Sequence, residues 1–270
     1  MAGLEMHYSA DNIEARILAA LRAAGLNPEQ RLSPVELGAL DHFHTGGFRA
    51  SLVLKDLARI RAEDRVLDIG AGLAGPARML AASPGCHVDC IDLSRDYCVA
   101  ASLLNRLTGL DDRISVHEGS ALDIDFRDDS FDAAWMQNVG MNIADKRRLY
   151  DEVHRVLKPG GRFAFQEMVA GEGPPTYFPL PWASDPTENF LISPEEMREL
   201  LAQSGFIADY FEDVGNDPLP PAAAGIPEST AQAPLSLSVY VDDLAQKAEN
   251  ATRSLREGQV RLFRGVFRKK

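Results

Sequence analysis

The sequence predicts an α/β fold: a doubly wound, mostly parallel seven-stranded sheet with helices on both faces. An antiparallel hairpin is expected at its carboxyl-terminal edge and a helical cap at its amino end. Three observations predict it. From Arg65 onward, short apolar runs alternate with amphipathic ones, the signature of β-α-β units with right-handed crossovers. The first apolar run, "RVLDIG", passes directly into the glycine turn "GAGLAG" and then into a helical segment. The chain closes on "QVRLFRGVFRK", whose apolar positions Val260, Leu262 and Val266 alternate as in a strand.

Length and charge bound the rest. A chain of 270 residues makes one large domain, or one domain with a subdomain. With 45% hydrophobic and 25% charged residues, it reads as a water-soluble globular protein. No apolar run approaches the roughly 20 residues of a membrane span. The opening "MAGLEMHYSADNIEARILAALRAAG" has no basic start and apolar core, so a cytoplasmic protein without a membrane partner is expected. The net charge of -12 repels phosphate backbones and argues against a nucleic-acid partner. The basic stretch Arg253–Lys270 reads as a solvated strand face. Cys86, Cys90 and Cys98 match no common zinc spacing, and their odd number argues against a disulfide framework. They read as reduced thiols, and no metal site is expected.

Element by element, Asp11–Ala24 carries Ile13, Ile17, Ala20 and Leu21 on one helical face, with Gly25 as a stop. "NPEQRLSPVELGALDHFHTGG" reads as turns and a short helix, and "FRASLVLKDLARI" as another helix. Residues 1–60 thus form the expected cap, and 61–270 the main domain. In that domain the expected strands are "RVLDIG", "CHVDCIDLS", "ISVHEGSAL", "FDAAWMQNV" and "RFAFQEMV". Between them come the helices "GPARMLAAS", "RDYCVAASLLNRLTG" and "KRRLYDEVHRVL", the last closed by Pro159, Gly160 and Gly161. The proline-rich stretch 171–192 reads as a lid-like excursion. "SPEEMRELLAQSGF" carries Ser193 as helix N-cap, with Glu196 completing a capping box and Gly205 past the end. The strand "FIADYFEDV", a flexible connection over 216–234, a helix from about Val241 to Arg256 and the closing strand complete the chain.

The glycines Gly70, Gly72 and Gly75 spell G-x-G-x-x-G, a strand-to-helix turn where backbone approaches a ligand closely. A dinucleotide or a shorter adenosyl cofactor could use it, and the glycines alone do not choose. Asp68 shifts the balance. A carboxylate at this strand end opposes a pyrophosphate but suits the sulfonium and ammonium of S-adenosylmethionine (SAM). Asp92, at the next strand end, is placed to accept from both ribose hydroxyls in either case.

Four motifs in order decide between them. "VLDIGAGLAG", "CIDLS", "EGSALDIDFRDDSFDAAWMQNV" and "RVLKPGGRFAFQE" resemble the motifs of class I SAM-dependent methyltransferases, from about Arg65 to Met168. "DHFHTGGFRAS", "MNIADK" and "PLPWASDP" further resemble small-molecule methyltransferases near the sarcosine/dimethylglycine N-methyltransferases. The resemblance implies a Rossmann-like sheet and SAM as cofactor. It also implies that Asp68, Gly70, Ala71 and Gly72 line the methionine part of SAM, and that Asp92 and Leu93 hold the ribose. Ser120 and Ala121 would lie beside the adenine, with Ser120 where many relatives carry an aspartate. Gln137 would face the amino acid end of the cofactor. The glycines of "HTGG" open a helix whose N-terminus suits the SAM carboxylate, or they form a hinge between cap and sheet.

For the acceptor, the expected contacts are Phe43, His44, Asn138, Met141 and Trp182, with His44 as the candidate base and His42 beside it. Glu167, at the end of the fifth strand, is a candidate to hold a cationic amine. The expected reaction is methyl transfer from SAM to a small molecule, an amine nitrogen first, releasing S-adenosylhomocysteine. C- or O-methylation of a natural-product or quinone-like acceptor is the alternative. A non-catalytic SAM-binding protein and a nicotinamide-dependent oxidoreductase are the rivals from other classes. A homodimer is compatible with the sequence.

Overall fold

The structure of the chain, a computed structural model, describes residues 12–217 and 233–270. These fall into two compact units. The first comprises the described residues through Ser120 with 233–242, and the second 121–217 with Asp243–Lys270. Asp11, His7 and most of the expected 216–234 connection lie outside the described residues.

The first unit opens with α1 (Ile13–Ala23), which buries Ile13, Ile17 and Leu21 at four-residue spacing, as the sequence periodicity requires. Helix α2 (Pro34–Asp41) starts at a complete capping box that the sequence reading left unassigned. The Ser33 side chain accepts at the helix start, and Ser33 N–H donates to Glu36 Oε2 across 2.7 Å. Helix α3 (Gly47–Ala58) is entered through Gly46 and Gly47, at φ 82° and 53°. That left-handed backbone is open to glycine at no steric cost.

Strand β1 (Arg65–Ile69), helix α4 (Gly75–Ala82), strand β2 (His87–Asp92), helix α5 (Arg95–Thr108) and strand β3 (Ile114–Glu118) follow in alternation. β1 pairs with β2 and β2 with β3, both in parallel. Val66, Leu67 and Ile69, and Val88, Cys90 and Ile91, are all buried. Runs apolar on both faces are what a parallel sheet covered on both sides demands. Burial lifts the Cys86 thiol to about 11 and the Cys98 thiol to about 12, so both stay protonated at neutral pH.

The second unit contains β4 (Phe131–Gln137), α6 (Lys146–Val156), β5 (Leu157–Ala170), α7 (Pro194–Gln203), β6 (Phe206–Asp213), α8 (Leu244–Arg256) and β7 (Val260–Lys269). β4 and β5 are parallel, and β7 runs antiparallel to both β5 and β6. The strand order across the seven-stranded sheet is β3-β2-β1-β4-β5-β7-β6. The fold is therefore the mixed, mostly parallel α/β sheet with antiparallel carboxyl-terminal strands that the sequence predicts.

Two differences have local causes. β5 starts earlier than "RFAFQEMV", because Leu157 already pairs with Phe131 before the register slips and Ala133 meets Arg162. The residues between bulge out, with Gly160 at φ 75°. At Ser193 only half of the expected capping box forms: its side chain accepts from Glu196 N–H. The core of the hairpin edge is aromatic. A Cβ on Gly265 would stand 2.3 Å from Phe165 Cζ, so that glycine makes room for the ring.

Candidate functional site

At the carboxyl end of β1, the chain turns through Gly70 at φ 66° and Gly72 at φ 55°. Gly70 and Ala71 N–H both donate to Ile91 O on β2, at 2.8 and 3.1 Å, which fixes the turn over the β2 end. A Cβ on Gly72 would meet no atom within 4 Å, so this glycine faces open space. Gly75 does something else. A Cβ there would lie 2.2 Å from Asp41 O and 2.6 Å from His42 Nδ1, so the third glycine admits the end of α2.

Asp92 closes the turn from the other side. Its Oδ2 accepts from Gly72 N–H at 2.8 Å and its Oδ1 from Ser94 N–H at 2.9 Å. A carboxylate offers about four acceptor positions, so capacity remains for further donors. Gly119 N–H donates to Asp92 O at 2.9 Å, which brings Ser120 to the same sheet edge. Leu93 lies half-buried next to Asp92.

Asp68 is only 2% exposed, and its Oδ2 has no hydrogen-bond partner. Burial, and then repulsion from Asp92, lift its carboxyl to about 8 against the pull of Arg78. Burial likewise raises Asp92. Two carboxylates around a glycine turn, one with an unmet oxygen, make a cradle for a cationic ligand. That donor set fits the ammonium and sulfonium of SAM. It does not fit a pyrophosphate.

Above the turn stands a buried polar network. Arg78, fully buried on α4, donates to Asp41 Oδ2 at 2.7 Å through Nη2 and to Asn105 Oδ1 at 2.8 Å through Nη1. It also reaches Leu73 O inside the glycine turn. Burial alone would raise the Asp41 carboxyl, but Arg78 and His42 outweigh it and hold it below the ordinary range. Asp41 Oδ1 in turn receives His42 Nδ1 at 2.7 Å. The ring is buried, and its Nε2 has no partner. An ionised carboxylate at Nδ1 selects the tautomer that leaves Nε2 as the acceptor.

His44, the base candidate from sequence, is placed differently. Its Nε2 lies 3.0 Å from Ser51 Oγ and its Nδ1 3.4 Å from Thr45 O. Phe43 packs edge-on to Tyr240 at 6.2 Å, and Tyr240 to Tyr97 at 5.6 Å, so Phe43 belongs to an aromatic cluster. Asp41, Arg78 and Tyr240 escaped the sequence reading. Only the adjacency of an aspartate to His42 hinted at the pairing.

In the second unit, Ala121 follows Ser120 along the chain, and Gln137 ends β4. Gln137 is buried and accepts from Trp135 Nε1–H at 2.9 Å. Asn138 turns the chain at φ 54° and donates its N–H to Gln166 O. Met141 and Trp182 sit in one apolar cluster with Met168, Leu180 and Leu262, and Trp182 Nε1–H is held by Asn189 Oδ1 at 2.8 Å. The stretch 171–192 thus sends Leu180, Trp182 and Ala183 into the core. Glu167 is bound to backbone rather than open to an amine. Its oxygens accept from Val139 and Gly140 N–H at 2.9 and 3.0 Å, and burial lifts it to about 7. It shapes the turn that carries Asn138 and Met141.

Among the described residues no group of three or more His, Cys, Asp or Glu could hold a metal ion. Among them, too, no helix is long and apolar enough to cross a membrane.

Residues 67–165 match the family described as a methyltransferase domain. Over 113 residues, 42% of this chain, the sequence is 40% identical to a glycine/sarcosine/dimethylglycine N-methyltransferase of Actinopolyspora halophila. That match spans about a fifth of the relative's length, 20%. Phosphoethanolamine N-methyltransferase 2 of Haemonchus contortus, solved with SAM, superposes at TM-score 0.65 and 21% identity, covering 93% of this chain and 56% of that one. Geranyl diphosphate C-methyltransferase of Streptomyces coelicolor superposes at TM-score 0.68 and 18% identity, covering 100% and 97%. At these identities the two solved structures establish the fold.

Proposed function

We propose, from the premise that this chain carries a class I SAM-dependent methyltransferase domain, that it methylates the nitrogen of a small amine. The observation that carries the cofactor side is the Asp68 carboxylate, buried with an unmet oxygen beside the glycine turn. The acceptor side is supported by the 40% identity to an enzyme named for glycine, sarcosine and dimethylglycine.

Bound SAM would supply an electrophilic methyl group on a sulfonium, so the chain's residues have positioning and proton handling to do. Asp68 holds the ammonium, and Asp92 accepts from the ribose while fixing the glycine turn. Leu93 and Ser120 flank that edge. The segment through about residue 60 serves as a cap, docked on the turn where Asp41 and His42 reach Gly75. At neutral pH the acceptor amine is an ammonium, and it must shed a proton to bare the lone pair that attacks the methyl group. His42 Nε2, oriented through Asp41, is the group we assign to accept it, in place of His44.

The test is product formation. Purified protein is given SAM with glycine, sarcosine, dimethylglycine, neutral amines or a prenyl diphosphate, and S-adenosylhomocysteine and methylated product are quantified. Turnover on amines is expected. Turnover only on the prenyl diphosphate would replace this reading with C-methylation, which the fold similarity to the geranyl diphosphate enzyme keeps as the second reading. Cofactor binding without product from any acceptor would leave a SAM-binding protein.

A further inference from the structure

Asp41 ends α2, and one face of α4 holds it twice within the first unit. Its carbonyl oxygen is the atom that a Cβ on Gly75 would meet at 2.2 Å. Its carboxylate meets Arg78, three residues further along α4 and so on the same face as Gly75. The two carboxylate oxygens are divided between two partners. Oδ2 accepts from Arg78 Nη2 at 2.7 Å and from Arg78 Nε at 3.3 Å. Oδ1 is left to the His42 ring, whose Nδ1 lies 2.7 Å away. Arg78, Asp41 and His42 are all buried, and the far nitrogen of the ring, Nε2, has no partner.

This order of contacts gives Arg78 a chemical consequence as well as a packing one. Burial raises the Asp41 carboxyl, and Arg78 and then His42 bring it below the ordinary range. The other groups that share this pocket are Tyr240, which burial, Tyr97 and then Asp41 raise, and Asp68, which Arg78 pulls down against burial and Asp92. A carboxylate buried without its counter-charge takes up a proton. A protonated carboxyl donates as well as accepts, so it no longer dictates which nitrogen of the neighbouring imidazole carries the hydrogen. With Arg78 in place Asp41 only accepts, and the hydrogen belongs on Nδ1.

We propose that Arg78 is a positioning residue for methyl transfer: through Asp41 it fixes the proton of His42 on Nδ1 and leaves Nε2 bare as the accepting atom. The assignment rests on His42 as the base and adds the cation on which that base depends. The same guanidinium reaches Leu73 O, so the base and the glycine turn share one support.

Long-range proton–nitrogen correlation spectra of the full chain, with isotope-labelled histidine and S-adenosylhomocysteine at about pH 8, read which ring nitrogen is protonated. His42→Gln identifies the signals of His42 by their loss. The wild type is expected to carry the proton on Nδ1 alone. Arg78→Met is expected to give a mixture of the two tautomers and to lower methyl transfer to sarcosine at least tenfold, the loss of a poised base. Arg78→Lys retains a cation and is expected to retain the wild-type tautomer. A wild-type ring protonated on Nε2, or on both nitrogens, overturns the proposal. So does Arg78→Met with the wild-type tautomer, even where turnover falls, because Arg78 would then act on the glycine turn alone. Should Arg78→Met fail to melt cooperatively, Arg78→Met combined with Asp41→Asn takes its place, since it leaves neither buried charge unpaired. The amide at position 41 can accept or donate, so a mixture is again expected, and a single Nδ1 tautomer there overturns the proposal. An Arg78-dependent tautomer with full turnover by His42→Gln would remove His42 as the base and leave the control of its proton by Arg78 standing.

Discussion

The Gly72 N–H donates to Asp92 Oδ2 across 2.8 Å, so the carboxylate assigned to the ribose also holds the glycine turn in place. Removing it takes away the support of the turn and, with it, the proposed ribose contact. Asp92→Ala is expected to lower SAM affinity by at least about tenfold, since each hydrogen bond to a charged acceptor contributes roughly 1.5–3 kcal/mol. Calorimetry with S-adenosylhomocysteine measures it, with circular dichroism to verify folding. An unchanged dissociation constant in a folded variant would remove Asp92 from the site.

Asp68 gives the binding a pH dependence of defined sign. Its carboxyl stands at about 8 in the folded chain, against about 3.9 in an unfolded one. The raised value means that the ligand-free fold has its full contribution from Asp68 below pH ~4 and loses it as pH rises through ~8. Cofactor binding runs the other way under the proposed pairing, in which the ammonium meets the ionised form of Asp68. Between pH 6 and 8 the affinity for S-adenosylhomocysteine is expected to rise by about tenfold or more, with proton release on binding. Asp68→Asn should flatten that rise. A slope equally steep in Asp68→Asn would place the titrating group elsewhere.

The second and third glycines of the loop separate by what they lose. Gly75→Ala drives a methyl group into the Asp41 carbonyl, 2.2 Å away, and backbone cannot step aside. Overpacking of this kind costs roughly 1–3 kcal/mol, a fall in melting temperature of several degrees. Gly72→Ala meets no neighbour and bears only the strain of φ 55°, about 1–2 kcal/mol. Its methyl group fills the space that the ligand would enter, so it is expected to lose cofactor affinity beyond its stability loss. Thermal melts with and without S-adenosylhomocysteine distinguish the two. A Gly75→Ala protein as stable as wild type would refute the packing role.

These contrasts mark how far the sequence could be read. The succession of strands and helices, the glycine turn and the two acidic strand ends were legible because β-α-β alternation and the G-x-G-x-x-G spacing are local signals. The partners of buried charges were not, because they meet only in three dimensions. Arg78 sits 37 residues from Asp41, and Arg264 sits 98 residues from Gln166. Glu167 read as a site for an amine because a strand-end carboxylate looks available, whereas the turn at Val139 and Gly140 supplies the donors that occupy it. Gly75 read as part of a cofactor loop, and its spacing carries no hint that α2 ends against it.

The remaining contrast lies between two histidines. His42 Nε2 is buried and unpartnered, and Asp41 holds its other nitrogen at 2.7 Å; His44 has Ser51 at 3.0 Å from its Nε2. At neutral pH sarcosine and dimethylglycine are both ammonium ions, and each must shed a proton to bare the lone pair that attacks the methyl group. His42→Gln keeps a side chain of similar reach that can donate to Asp41 but cannot take up the proton. It is expected to lower kcat on both acceptors by about a hundredfold at neutral pH, the low end for general base catalysis, and the loss is expected to shrink as pH rises toward the pKa of the amine. His44→Ala should show no such pH-dependent loss. A purely structural role for His42 would depress the rate equally at every pH. A base at His44 would move the pH-dependent loss to His44→Ala. Steady-state rates across this pH range, measured on variants shown by thermal melting to be folded, therefore decide which histidine serves as the base.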